Sequence, residues 1–280
     1  MAEAGDPRPI GVFDSGVGGL TVLAELHRRL PAEPTVYLGD NARAPYGPRR
    51  ADEVRAFTLE AVEWLLAQDV KLLVLACNTA TAQALDDVRE VASVPVLGVV
   101  RPGAVAAAAA TRSRDVGVIA TAGTVESGAY RRAIEEADPR ITVSQVACPE
   151  LVPMVEAGMI DGRRAESVVR AYLDPLIATR PAMDTLLLGC THYPLLRAPI
   201  ELIVGPSVAV VDSAFTTALA VEDLLDALNG RATGGATTNR RTATTGDVGA
   251  FVTIAERIFG TELPEVEAVR LEPAAAVPID

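Results

Sequence analysis

Short aliphatic runs alternate along the chain with longer segments in which apolar residues recur at helical spacing, and this alternation constrains the fold more than any other feature of the sequence. Runs that are apolar throughout are typical of parallel strands covered by helices on both faces. The segments between them, for example 52–67 and 163–178, have the periodicity of amphipathic helices. The sequence therefore predicts an α/β protein built from βαβ units, with strands at 9–14, 35–39, 71–76, 94–99, 115–120, 141–147, 185–189 and 208–211.

Two of these strands, with the residues that follow them, occur twice. The segment 11–16 (GVFDSG) resembles 117–122 (GVIATA), and 73–79 (LVLACNT) resembles 186–192 (LLLGCTH). The offsets of 106 and 113 residues are much longer than the repeats of solenoid proteins. We therefore interpret the chain as a duplicated domain, with two similar open-sheet α/β lobes that face each other across a cleft.

Two of the three cysteines occupy equivalent places in this duplication. Cys77 and Cys190 each follow an apolar strand and precede small or hydroxyl residues at the expected start of a helix. Ligands of open parallel sheets bind at the carboxyl ends of the strands, and a helix N-terminus lowers the pKa of a thiol. One such cysteine alone is explained as a small core residue, but two in the same setting predict a pair of reactive thiols across the cleft. Cys148 has no counterpart, and we assign it to packing.

Polar residues at other strand ends extend the predicted site. The loop 14–19 lacks the glycine spacing of a nucleotide-binding loop, and the carboxylate of Asp14 would oppose a phosphate. Asp14 facing an ammonium group, and Ser15 with nearby amides facing a carboxylate, suit a zwitterionic ligand instead. His192 lies two residues after the second thiol and is placed to assist a proton transfer. Tyr46 is expected either to close over a ligand or to pack against its own turn.

Charge and composition exclude several classes of function. The net charge of −12 repels phosphate backbones and anionic lipid, so we expect neither nucleic-acid nor membrane binding. No apolar stretch has the roughly 18–20 residues of a membrane span, and residues 1–9 lack the basic and apolar blocks of a signal peptide. Three cysteines without a secretory signal fit a reducing compartment. The sequence therefore predicts a cytoplasmic protein.

Four motifs connect the chain to a known family. Residues 11–20 (GVFDSGVGGL), 39–47 (GDNARAPYG), 76–81 (ACNTAT) and 189–194 (GCTHYP) resemble, in order and spacing, the glutamate racemases of bacterial cell-wall synthesis. The resemblance extends from about residue 9 to about residue 228, and Asn41 departs from it because the family usually has threonine there. Beyond residue 230 the match fades. We expect a loop at 230–239, then one strand and one helix, with poorly ordered final residues and no assigned role.

The resemblance implies a fold and an activity. The fold is the two-lobed aspartate/glutamate racemase fold, with a first lobe formed by residues 1–99 and 212–280, a second lobe formed by residues 100–211, and the active site in the cleft between them. The implied activity is the interconversion of L- and D-glutamate by two-base proton transfer, which supplies D-glutamate for peptidoglycan. The expected partner is the small-molecule substrate, and we expect the chain to form a homodimer.

The resemblance also implies which residues do the chemistry. Cys77 and Cys190 are implied as the catalytic thiols, the first toward D-glutamate and the second toward L-glutamate, with Asp14 and His192 as their acid–base support. Asp40 and Glu156 match the positions of assisting acids in the family. The implied ligand contacts are Asp14, Ser15, Tyr46, Gly47, Asn78, Thr79, Thr191 and His192.

The sequence favours a racemase without cofactor or metal. Racemases that use pyridoxal phosphate need a lysine for the Schiff base, and Lys71, the sole lysine, opens a strand at the end opposite to Cys77. Two histidines and three scattered cysteines do not make a metal site, because neither C-x-x-C nor H-x-x-x-H spacing occurs.

Two alternatives remain open from the sequence. One is an aspartate or hydantoin racemase of the same superfamily, against which His192 argues, since aspartate-specific relatives commonly have an acidic residue there. The other is an additional non-catalytic role as a protein that binds and regulates a topoisomerase through an acidic surface. Loss of activity in Cys77→Ala with retained partner binding would separate catalysis from such a role.

Overall fold

The computed structural model describes residues 5–232, 239–259 and 265–272. Its strands form two parallel sheets, and the first has the order β10-β9-β2-β1-β3-β4 while the second has the order β6-β5-β7-β8. The strands are β1 (Ile10–Asp14), β2 (Thr35–Gly39), β3 (Leu72–Leu75), β4 (Val96–Gly98), β5 (Asp115–Ala120), β6 (Thr142–Ala147), β7 (Thr185–Gly189), β8 (Ala209–Asp212), β9 (Arg240–Thr244) and β10 (Val266–Ala268).

Helices connect the strands and cover both faces of the sheets. Adjacent residues of β1 show why the strands are apolar throughout: Val12 and Phe13 are both 0% exposed and belong to hydrophobic clusters on opposite faces. The helices are α1 (Leu20–Arg29), α2 (Ala51–Leu66), α3 (Asn78–Val91), α4 (Val100–Ala110), α5 (Ala122–Ser127), α6 (Ala129–Ala137), α7 (Leu151–Glu156), α8 (Gly162–Thr179), α9 (Arg197–Val204), α10 (Ser213–Ala227) and α11 (Val248–Phe259), with a 3₁₀ turn at Tyr193–Leu196.

The structure confirms the predicted α/β class and the two similar sheets. All of the predicted strands are present as β1 to β8, with bounds that differ by two residues at most. The strand order 2-1-3-4 of the first sheet is repeated as 6-5-7-8 in the second. The repeated sequence segments thus occupy equivalent central strands, β1 with β5 and β3 with β7.

The tail differs from the sequence prediction. After α10 the described residues contain two strands, β9 and β10, and one helix, α11, where we expected one strand and one helix. Both strands extend the first sheet, because β9 pairs with β2 and β10 pairs with β9. Their sequences, RRTAT and VEA, lack the aliphatic runs of the other strands, and β10 forms the edge of the sheet. Most of the predicted loop, residues 233–238, and the final residues, 273–280, lie outside the described part of the chain.

The two halves of the molecule share part of their core. One hydrophobic cluster contains side chains from both sheets, and α10 packs against α1 of the first half and α4 of the second. The assignment of residues 1–99 and 212–280 to one lobe and 100–211 to the other therefore stays a prediction, since α10 contacts both.

Lys71 lies at the amino end of β3, in a buried ion pair. Its ammonium nitrogen is 2.6 Å from Glu33 Oε2, and both side chains are less than 5% exposed. The same nitrogen donates to the carbonyl oxygens of Asp6, at 2.7 Å, and Gly230, at 2.8 Å. The Lys71 ammonium group thus joins the start of the chain to the segment after α10, at the end of β3 opposite to Cys77.

Candidate active site

The carboxyl ends of the central strands of both sheets meet at one cavity of about 210 Å³. Cys77, after β3, and Cys190, after β7, both line it, and each is 5% exposed. The other lining residues are Ser15, Gly16, Ala44, Pro45, Tyr46, Gly47, Pro48, Asn78, Thr79, Thr121, Ala122, Pro149, Val152, Pro153, Glu156, Thr191 and His192. The cavity therefore holds two thiols that come from equivalent strand ends.

Cys77 caps the N-terminus of α3. Its sulfur accepts a hydrogen bond from the backbone amide of Ala80 at 3.4 Å and lies 3.4 Å from the hydroxyl of Ser15. Burial, together with the nearby charge of Asp14, raises the pKa of the Cys77 thiol to about 12, although both hydrogen bonds oppose this shift. Without a ligand, Cys77 is therefore held in its thiol form at neutral pH.

Cys190 stands at one end of a chain of titratable groups. Its sulfur lies 4.0 Å from Nδ1 of His192, and Nε2 of His192 lies 3.1 Å from Oε1 of Glu156, at the end of α7. Burial lowers the pKa of His192, but its hydrogen bonds to Cys190 and Glu156 outweigh burial and raise this pKa to about 10. The imidazolium places a positive charge next to Cys190, and such a charge stabilises a thiolate.

A glycine brings the loop after β1 up against this chain of groups. A side chain at Gly18 would collide with the hydroxyl of Thr191 and with the ring of His192. The hydroxyl of Thr21 donates to the carbonyl oxygen of Thr191 at 3.1 Å. Close packing between the two halves at the cavity thus explains the glycine at position 18.

The two histidines of the chain test this arrangement directly. We expect the ring signals of His192 to titrate near pH 10 and those of His27 near pH 4, because burial and the nearby Arg240 lower the pKa of His27. A pH series of imidazole NMR spectra measures both values, and His27→Gln assigns the signals. Glu156→Gln should lower the midpoint of His192 by at least about one pH unit, since it removes a charged acceptor. Titration of both histidines near 6.5, their ordinary value, would contradict the geometry.

Most of the predicted ligand contacts lie together at the cavity: Ser15, Tyr46, Gly47, Asn78, Thr79, Thr191 and His192, with Glu156 among them. Asn78 is the most informative of these. Its Oδ1 accepts a hydrogen bond from the hydroxyl of Tyr130 at 2.6 Å, while its buried Nδ2 has no partner among the described residues. Because a buried donor is costly to leave unpaired, this amide is suited to donate to a bound carboxylate.

Asp14 and Asp40 lie behind the cavity wall. The fully buried carboxylate of Asp14 accepts from the amide of Gly16 at 2.9 Å through Oδ2, and its Oδ1 has no partner among the described residues. Burial raises the pKa of Asp14, although the charge of His192 opposes the shift. Asp40 accepts from the hydroxyl of Tyr46 and does not itself line the cavity. An assisting role for either acid stays a prediction, and Asp40 would act through Tyr46.

Sequence reasoning missed Thr121, which follows β5. Its hydroxyl lies 2.9 Å from that of Thr79, across the junction between the two halves. The repeat contained the signal, since Thr121 aligns with Ser15. The apolar wall formed by Pro149, Val152 and Pro153 had no comparable signal, because nothing in that segment resembles the other motifs.

Other expectations concern cysteine and metal chemistry. Cys148 is fully buried, is not among the residues lining the cavity, and lies 3.6 Å from the carbonyl oxygen of Val146. Within the described ranges, no group of three or more histidine, cysteine or acidic side chains is arranged to hold a metal ion. In the same part of the chain, none of the helices combines the length and the apolar character needed to span a membrane.

Comparison with known proteins gives a consistent result. A profile described as Asp/Glu/Hydantoin racemase matches residues 10–221. The glutamate racemase of Oceanobacillus iheyensis is 49% identical over 252 residues, which cover 90% of this chain and 92% of that protein. Among solved structures, a glutamate racemase isoform from Bacillus anthracis is 43% identical with a TM-score of 0.88, over 94% of this chain and 98% of that one. The glutamate racemase of Francisella tularensis, solved in complex with D-glutamate, is 35% identical with a TM-score of 0.89, over 95% and 99% of the two chains.

Proposed function

The chain belongs to the Asp/Glu/hydantoin racemase family, and we propose that it interconverts L- and D-glutamate with Cys77 and Cys190 as the two proton-transferring groups. The observation that carries this proposal is the pair of thiols, from equivalent strand ends of the two sheets, in one cavity of about 210 Å³. The activity of the chain is amino-acid racemisation, as in its relatives. The roles of the individual residues are the proposed part.

Two bases on opposite sides of the substrate solve the stereochemical problem. One thiolate takes the proton from the α-carbon, so that the C–H bond breaks and an S–H bond forms. The electron pair of the broken C–H bond stays on the substrate. The opposing thiol then gives its proton to the other face of the same carbon and becomes a thiolate. Each turnover inverts the centre and leaves the two sulfurs with exchanged protonation states.

The charges around the thiols support such a split in protonation. His192, held protonated by Glu156 and Cys190, places a positive charge beside the sulfur of Cys190. Burial and the charge of Asp14 favour the neutral thiol of Cys77. In the proposed L-to-D direction, Cys190 removes the proton and Cys77 delivers one. For the reverse direction, the ammonium group of the substrate would provide positive charge near Cys77.

Substrate recognition is proposed to rest on neutral donors at the cavity. The amide of Asn78, which has no partner in the described part of the chain, and the N-terminus of α3 offer N–H groups to a carboxylate, and the hydroxyls of Thr79 and Thr191 add to them. Glutamate is favoured as the substrate because the relatives of high identity and coverage are glutamate racemases. The alternative of an aspartate or hydantoin racemase is not favoured, since an aspartate racemase homologue from Pyrococcus horikoshii and the aspartate racemase of Picrophilus torridus match at 20% and 18% identity and share only the fold.

We also propose the setting in which this activity operates. The product D-glutamate would supply peptidoglycan synthesis, as in the family, and the enzyme would act in the cytoplasm as a homodimer. The net charge of −12 supports the proposal that it binds neither nucleic acid nor membrane. Independence from pyridoxal phosphate is supported by the position of Lys71, whose ammonium group is paired with Glu33 and which is not among the residues lining the cavity.

Turnover by the pure protein without added cofactor tests the proposal. We expect D-glutamate to form from L-glutamate until the two enantiomers are equal, as followed by circular dichroism. The rate should survive a chelator and a carbonyl reagent such as hydroxylamine, and it should be lost after alkylation of the thiols. Absence of turnover with either enantiomer would refute the function. Inhibition by hydroxylamine, with pyridoxal absorbance in the purified protein, would point to a lysine-based mechanism instead.

A further inference from the structure

The aromatic ring of Tyr46 lines the cavity, and its position depends on a buried carboxylate behind it. Tyr46 is 1% exposed, and its hydroxyl donates to Oδ2 of Asp40 at 2.5 Å. Asp40 is fully buried, and the same oxygen accepts from Nε of Arg43 at 2.7 Å. A change in the orientation of the Asp40 carboxylate would therefore move the ring of Tyr46 at the cavity.

The other oxygen of this carboxylate is held from the C-terminal tail. Thr245 is the residue that follows β9, and its hydroxyl donates to Oδ1 of Asp40 at 2.6 Å. The same hydroxyl accepts from the backbone amide of Ala42 at 3.1 Å. A single side chain thus fixes both the acid behind Tyr46 and the backbone of the loop that carries Tyr46. The neighbouring Thr244 donates from its hydroxyl to Oδ1 of Asn41 at 3.3 Å, which adds a second tie to that loop.

We infer that Thr245 is a positioning residue of the active site: it orients Asp40, and through Asp40 it sets the place of Tyr46 against the substrate. This gives the tail beyond residue 230 a part in the reaction, although its residues from β9 to α11 are not among those that line the cavity. The inference rests on the proposed function, since Tyr46 matters only if the cavity binds the substrate.

Thr245→Val tests the inference, because valine keeps the shape of threonine and removes only the hydroxyl. We expect KM to rise about tenfold, the size associated with losing a hydrogen bond to a charged group, with a smaller effect on kcat. L- and D-glutamate have equal free energy, so kcat/KM must fall by the same factor in both directions. Thr245→Ser keeps the donor and should restore KM. Thr253→Val is the matched control, since the exposed hydroxyl of Thr253 donates only within its own helix, to Gly249.

A double-mutant cycle with Tyr46→Phe tests whether Thr245 acts on KM through Asp40 and Tyr46. Phenylalanine lacks the hydroxyl that reaches Asp40, so Thr245→Val should raise KM little further in that background. Full additivity, or no rescue by Thr245→Ser, would overturn the inference. A lowered melting temperature with unchanged KM would overturn it as well, because Thr245 would then only stabilise the fold.

A binding measurement separates this inference from the proposed function. D-glutamate should raise the melting temperature of the wild-type protein, and at equal concentration it should do so less for Thr245→Val. If wild-type protein neither binds nor racemises glutamate, the proposed function fails. If it does both and Thr245→Val matches it in KM and in the thermal shift, only the role of Thr245 fails.

Discussion

Replacing either Cys77 or Cys190 with alanine should lower kcat for racemisation by about 1,000-fold or more in both directions, within the range expected for the loss of an acid or base. With one thiol missing, the enzyme can bind glutamate and even exchange a proton on one face, but it has no group to protonate the opposite face. Chiral detection of D-glutamate from L-glutamate, and of the reverse reaction, measures the loss. Circular dichroism of each variant shows whether the fold is retained.

Cys148→Ala is the matched control for these variants. It removes the third free thiol, which is buried but not among the residues lining the cavity, and we expect kcat and KM close to those of the wild type. Near-normal racemisation by Cys77→Ala or Cys190→Ala would refute the two-thiol mechanism. Loss of activity in Cys148→Ala without loss of folded structure would show that the chemistry is assigned to the wrong cysteines.

Conservative Cys→Ser variants test which thiol removes the proton from which enantiomer. Because the equilibrium constant between enantiomers is one, kcat/KM is equal in both directions and cannot show which thiol removes which proton. Primary isotope effects with α-deuterated glutamate can show which thiol removes which proton. A weakened base makes the proton removal that it performs more rate-limiting, which enlarges the isotope effect for that enantiomer. The effect should grow for D-glutamate in Cys77→Ser and for L-glutamate in Cys190→Ser. Growth for the same enantiomer in both variants would contradict thiols on opposite faces.

Lys71→Met should lower the free energy of unfolding by about 3–5 kcal/mol, the range for removing one partner of a buried ion pair. The variant leaves the carboxylate of Glu33 buried, at 3% exposure, and within the described ranges the donor that remains to it is the backbone amide of Ala232. It also removes the donor to the carbonyl oxygens of Asp6 and Gly230. Equilibrium unfolding in urea measures the change, and the decrease should appear in the midpoint rather than in the slope.

A second substitution separates charge from packing at this position. Lys71→Met combined with Glu33→Leu removes both charges and should recover most of the lost stability, as apolar replacements of buried ion pairs often do. The folded fraction of either variant should racemise glutamate at the wild-type rate, because Lys71 is not among the residues lining the cavity. A stable Lys71→Met protein without activity would instead make this lysine part of the chemistry.

The sequence alone determined the architecture and most of the candidate site. Short apolar runs that alternate with amphipathic helical segments favour parallel strands covered by helices on both faces, and the repeated segments placed two cysteines at equivalent strand ends. Ligands of open sheets bind at strand ends of this kind, which pointed to Ser15 before any coordinates. His192 was singled out by its spacing from Cys190, and Asn78 was implied by the family resemblance. The predicted strands and the two similar sheets are confirmed because they depend on periodicity and on local order along the chain, while the roles of the site residues stay predictions.

The tertiary structure alone decided what the two predicted assisting acids contact, and from which parts of the chain. Glu156 is 36 residues before His192 in the chain, yet it lies 3.1 Å away and raises the pKa of that histidine. Asp40 was expected among the assisting acids, and only the fold shows that it stands behind Tyr46, held by Thr245 from 205 residues further along. No local pattern encodes such pairs. Their energies come from burial and from the distance between atoms that only the folding of distant segments brings together.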